Sequence, residues 1–196
     1  MAQQTSVVTP SRFAQGLSYE GFLAQAKVNK NLFDQYYQTA KEQMTQADVD
    51  FFKKAVHAPG GAAKVMVIGE DWCPDVYRGM PVIARIAEAS GMEIKVFPRD
   101  MNLDIMNEFL NQGQFQSIPT LVFYTKDHKY LGHWIERPAQ VGIDQAALRT
   151  KITAEMQGKP EEEIRAESRK QTNAMFPHFQ RLTIDDLKLF LSKFPH

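Results

Sequence analysis

The stretch KVMVIGE, residues 64–70, is an almost unbroken apolar run, entered through the loop-like PGGAA of 59–63. It is too short for a helix and reads as a strand buried on both faces. Upstream, from 18 to 58, the period changes to that of helices. SYEGFLAQAKVNK and NLFDQYYQTAKEQ set aromatics at helical intervals, with Asn31 expected to cap the second run. TQADVDFFKKAVHA follows, with Thr45 as N-cap and Asp48 three residues on as a variant capping box. Downstream of the strand, VYRGMPVIARIAEASG places Val76, Met80, Ile83, Ala84 and Ala87 on one helical face, with Pro81 inside and Gly91 as the stop.

EIKVFP predicts a second strand, and LDIMNEFLNQG a helix ending near Gly113. TLVFYTKDHKYLGHWIE alternates on either side of a polar KDHK turn, the pattern of a β-hairpin, and IDQAALRTKITAEM closes as a helix. This order predicts an α/β fold with a mixed central sheet flanked by helices, the first two strands parallel and the hairpin antiparallel. Beyond residue 159, KPEEEIRAESRKQTNAMF predicts a charged, solvated helix. TIDDLKLFLSKF predicts a short amphipathic one, with Thr183 as cap and Asp186 as its acidic partner. That last helix packs either on its own domain or on a second copy, so a homo-oligomer through the C-terminal helices is one of two outcomes. Residues 1–17, polar and broken by Pro10, predict a flexible arm.

Composition narrows the function more than the fold. The 23 basic and 23 acidic residues cancel, which gives no reason to expect a nucleic-acid or anionic-membrane partner. A single cysteine excludes an intramolecular disulfide and a multi-cysteine metal site. No apolar run approaches the roughly 20 residues that span a bilayer, and the start lacks the layout of a secretory signal, so a cytoplasmic protein is expected. His128 and His133 face each other across the hairpin without further ligands, and neither a metal nor a cofactor is expected.

The candidate chemistry lies in EDWCPDVYRGMP, 70–81, where the lone Cys73 follows Trp72 at a strand-to-helix junction. A helix N-terminus offers unpaired N–H groups and partial positive charge, which favour a thiolate. Asp75 opposes this, because a carboxylate near the sulfur raises the thiol pKa. Arg99 and Asp100 follow the second strand and emerge at the same sheet edge, where Arg99 is expected to stabilise the thiolate or neutralise Asp75. Arg137 is a weaker candidate for that task. The plainer readings are an inert buried cysteine, a structural Arg99–Asp100 pair and an Arg137 that shapes a turn with Pro138.

DWCPD between strand and helix, Pro81 eight residues after Cys73, SIPTLVFY around Pro119, and KYLGHW together resemble the thioredoxin superfamily. With PRD at 98–100 and ERP at 136–138, they resemble more narrowly a bacterial thioredoxin-like family in which the second cysteine is often absent. The resemblance implies a thioredoxin-like core over 61–150, with helical extensions at 18–60 and 151–196. It implies a cis peptide before Pro119 facing the sulfur, and a substrate groove formed by Trp72, Ile118 and Pro119. Two positions depart from the superfamily pattern: Val76 stands for the resolving cysteine, and Val67 for an internal acid. The expected function is monothiol thiol–disulfide exchange through Cys73, with a disulfide-containing protein or low-molecular-weight thiol as partner. The alternative is a redox-inactive binding module that uses the groove beside Pro119.

Overall fold

The order of strands follows from which apolar runs are buried on both faces. In the computed structural model, which describes residues 6–196, β1 (Lys64–Gly69) is buried from Val65 onward and lies inside the sheet. β2 (Glu93–Pro98) pairs parallel to it, with Ile68 beside Phe97 and Gly69 beside Pro98. β3 (Thr120–Tyr124) pairs antiparallel on its other side, and β4 (Tyr130–Ile135) completes the hairpin, giving the order β2-β1-β3-β4. The predicted mixed sheet is therefore the one observed. Between β1 and β2 runs the helix α5 (Pro74–Ser90), which contains Pro81 and stops at Gly91 in the left-handed region, φ 81°.

Among the described residues four helices precede β1. In sequence order they are α1 (Pro10–Ala14), α2 (Tyr19–Gln25), α3 (Lys30–Gln43) and α4 (Gln46–His57). Phe22, Phe33, Tyr36 and Phe52 are buried, as their helical spacing predicted. The flexible arm expected over 1–17 is not what residues 6–17 form, and 1–5 lie outside the described residues. Phe13 is buried, and Leu17 exchanges backbone hydrogen bonds with Val96 at 2.9 and 2.8 Å, covering the open edge of β2. Polarity alone misled there because two apolar side chains, Val8 and Phe13, anchor the segment.

Other boundaries also move. Asn31 lies inside α3; the residue before that helix is Asn29, at φ 59°, whose amide donates to the Asp71 carbonyl at 2.9 Å instead of capping. The helix predicted to reach Gly113 is only α6 (Leu103–Met106), preceded by a single turn at Arg99–Met101. Beyond it Asn111 and Phe115 close a backbone turn, with Gln112 and Gly113 both at positive φ, a conformation no helix continues through. After β4 come α7 (Ala139–Glu155), α8 (Glu161–Ala174) and α9 (Phe176–Leu191).

Thr183 and Asp186 do not start α9. Thr183 sits in mid-helix and donates to the Phe179 carbonyl at 2.9 Å, while Asp186 accepts the Trp134 indole N–H at 2.6 Å. The helix starts earlier because Phe176 and Phe179 bury themselves with Tyr36, and Pro177 suits a first turn. α9 thus packs on its own chain, with Ile184, Leu187 and Leu191 in the central core. Gly132 of β4 makes this approach feasible, since a Cβ there would stand 3.0 Å from the Phe190 ring and 3.1 Å from that of Phe194.

A buried carboxylate holds the terminal helix against the N-terminal ones. Asp48 closes the predicted capping box with Thr45 and also accepts from Arg181 at 2.6 Å and Lys188 at 2.7 Å. Burial pushes this carboxyl up, but the bonds from Arg181, Lys188 and Thr45 outweigh it and hold it well below the usual range. A depressed folded-state pKa stabilises above the unfolded value and is lost as pH falls, so stability is expected to drop below about pH 4. Asp48→Asn is expected to cost about 3 kcal/mol at neutral pH and to flatten this acid limb, as read by urea unfolding across pH.

Candidate functional site at the carboxyl edge of the sheet

Strand register brings distant segments to one edge. Gly69 of β1 and Pro98 of β2 end side by side, while Thr120 of β3 pairs with both Ile68 and, across the hairpin, Ile135. The loops leaving these positions carry Trp72 and Cys73, then Arg99 and Asp100, then Ile118 and Pro119, and finally Arg137. The Glu136 N–H donates to the Pro119 carbonyl at 2.8 Å and ties the last two loops together.

Cys73 is the N-cap residue of α5, with Pro74 in the first turn, where its missing N–H costs nothing. Cys73 is 9% exposed, and its thiol donates to the Ile118 carbonyl at 3.7 Å, a contact only its neutral form makes. The peptide joining Ile118 to Pro119 is cis, as the resemblance implied, and both residues are buried. Burial pushes the thiol above its ordinary pKa. The backbone N–H groups of Val76 and Asp75 pull it down, the Asp75 carboxylate pushes it up and Arg99 pulls it down, but burial prevails.

The charged partners sort differently from the sequence expectation. Asp75 forms its ion pair with Arg137, and Arg137 also lies 3.7 Å from Glu136. Arg99 instead bonds Asp100 through Nε at 2.8 Å and Nη2 at 2.6 Å, and its guanidinium lies 5.1 Å from the Trp72 ring centre. Thus the residue ranked weaker neutralises Asp75, and the Arg99–Asp100 pair is real but local. Arg99 still acts on the sulfur through its field. Trp72 remains 48% exposed, which leaves an apolar surface at the rim.

Three supporting residues escaped the sequence reading. Asp71 accepts from the Lys27 and Val28 N–H groups at 2.5 and 3.1 Å, pinning the Cys73 loop to the connection between α2 and α3. Glu70 accepts from the Asp100 N–H at 2.7 Å, joining the first two loops, and burial pushes its carboxyl up. Asn29 completes the anchor on Asp71. Nothing in local sequence distinguishes such acids from solvated ones, since their partners lie 30 or more positions away.

Val67, at the position of the absent internal acid, is fully buried, and Val76 is packed in the core beneath the helix start. His128 binds the Val8 carbonyl and His133 the Tyr130 hydroxyl. Among the described residues no three His, Cys, Asp or Glu side chains cluster as metal ligands, and no helix is long and apolar enough to cross a membrane.

Comparison with known proteins adds family and fold. Two solved structures resemble the chain at 15% identity, a level that shows fold alone. One is a protein of unknown function from Pseudomonas aeruginosa, with TM-score 0.63 over 92% of this chain and 95% of the other. The second is an HIV epitope-scaffold, with TM-score 0.66 over 96% and 99%. No curated protein matches the chain. The sequence profile of the family described as thioredoxin matches residues 16–149. That match spans well over half of the chain, from the edge segment at Leu17 through the Cys73 loop to α7, and the chain belongs to the thioredoxin family.

Proposed function

We propose that this protein is a monothiol thiol–disulfide exchanger that uses Cys73 as nucleophile and an external thiol as resolver. The observation that carries the reading is the placement of Cys73 Sγ at the start of α5, 3.7 Å from the Ile118 carbonyl and beside Pro119. The amides of Val76 and Asp75 favour its thiolate. In the first step the Cys73 thiolate attacks one sulfur of a disulfide; that S–S bond breaks, a Cys73–substrate disulfide forms, and the second sulfur leaves as thiolate with the electron pair. An incoming thiolate then attacks the mixed disulfide and releases Cys73, because Val76 cannot. No electrons are gained or lost by the protein over the cycle.

The raised thiol pKa defines how the site works. At neutral pH most Cys73 is protonated, so exchange is slow until a bound partner supplies a stronger thiolate-stabilising contact. The same burial favours a second reading, a redox-inactive module that grips its partner in the groove beside Pro119 without bond exchange.

The two readings separate on Cys73 variants. Incubation with a disulfide peptide is expected to give a Cys73-linked adduct that an added thiol releases, and Cys73→Ser is expected to abolish both stages. Equal exchange by Cys73→Ser would sink the first reading, whereas equal non-covalent capture by wild type and Cys73→Ala would establish the second.

Charge tuning yields a test with opposite signs. Since only the thiolate alkylates, labelling of Cys73 is expected to keep accelerating above the ordinary thiol pKa of about 8.5. At pH 7, Asp75→Asn is expected to speed labelling roughly two- to five-fold, and Arg99→Gln to slow it by a similar factor. Iodoacetamide kinetics followed by mass spectrometry across pH check both shifts.

A further inference from the structure

Beside the Cys73 site lies an open cleft of about 890 Å³, bounded by the first turn of α5 and the facing sides of α7 and α8. Its charge departs sharply from that of the whole chain, which is neutral. Arg78, Arg137, Arg149, Arg165 and Arg169 line it, against a single carboxylate, Glu161. Their states differ in a way that bears on binding. Arg137 is spent on Asp75, and Arg165 on Glu161 in an exposed pair one helical turn apart. Among the described residues Arg149 and Arg169 contact no carboxylate, and both are exposed. Arg78 is fixed with its guanidinium 4.2 Å from the Phe176 ring centre, while its buried Nε has no partner.

The walls are suited to holding a ligand rather than closing on themselves. α8 buries no residue completely although it runs along α7, so the space between them stays open. Half-buried Leu148 and Ile164 give the cleft an apolar floor between the arginines. Pro74, directly after Cys73, is among the residues that line it, so the first turn of the 17-residue α5 borders the same space. Planar guanidinium forks on a partly apolar floor match small molecules with several carboxylate or phosphate oxygens.

We infer that this arginine-lined cleft is a binding site for an anionic low-molecular-weight thiol, one carrying at least two carboxylates or phosphates, whose sulfur end is directed toward Cys73. The inference rests on the exchange reading for its account of why a thiol is bound, and it identifies the class of external resolver. Charge supplies the selection: a cationic thiol meets five arginines against the one carboxylate of Glu161 and a neutral one gains no ion pair, whereas an anionic thiol pairs with Arg149 and Arg169, which hold no carboxylate among the described residues.

Binding is measured by calorimetry on full-length Cys73→Ser protein, so that thiol chemistry plays no part. The probes are S-methylglutathione, a carboxylate source, S-methyl coenzyme A, a phosphate source, and the diethyl ester of S-methylglutathione. At least one anionic probe is expected to bind in the micromolar to roughly millimolar range and to weaken with added salt. The ester is expected to bind at least about tenfold more weakly than its parent, if the parent is the ligand, and Arg149→Ala with Arg169→Ala to cost the bound probe about tenfold. Which probe binds names the anion. Failure of both anionic probes, or binding that survives the double substitution unchanged, overturns the cleft. Loss of Cys73-dependent exchange with binding intact overturns the exchange reading alone.

Discussion

The site depends on β1 being buried between two partners of opposite direction. Val65 to Ile68 are fully enclosed, so the strand cannot slip: a shift of one residue would turn every side chain to the other layer. Parallel pairing with β2 and antiparallel pairing with β3 then deliver the end of one strand and the beginning of another to the same edge. Cys73 meets the Ile118 carbonyl, in the peptide before Pro119, only because of that arrangement. The 46-residue separation between Cys73 and Pro119 is irrelevant once register is set.

Around this edge the charges are arranged in local pairs. Asp75 would burden the thiolate if it stood alone, and Arg137 compensates it; Arg99 is shared between Asp100 and the Trp72 ring. What remains is desolvation, which pushes the thiol above its ordinary pKa. The C-terminal helices matter to that economy of charge. α9 completes the core through Trp134–Asp186 and the Asp48 cluster, and α8 leaves the arginine-lined cleft open next to the first turn of α5.

Legibility followed the range of the interactions. The strand runs, the capping box of Thr45 and Asp48, the stop at Gly91 and the hairpin about KDHK rest on neighbours within a few positions, and the chain displays them directly. Elements anchored by distant contacts were misread. Phe13 makes a nominal arm part of the core, Asn29 forgoes its cap to hold Asp71, and the start of α9 is set by Tyr36. In the site the same division holds: Cys73, Trp72 and Pro119 stand out by motif, while of the two arginines the chain offers for Asp75 it is Arg137, the weaker candidate, that pairs with it.

By itself the sequence determined the α/β class, the parallel and antiparallel strand pairings, the lone cysteine at a helix start and the absence of a second one in the chain. Periodicity and residue identity are local properties that fold cannot alter. Only the tertiary structure decided how far the sulfur is desolvated, which cation faces which carboxylate, and that five arginines from three helices and a hairpin end surround one cleft. Electrostatic energies depend on distance and burial in space, and neither is encoded by separation along the chain.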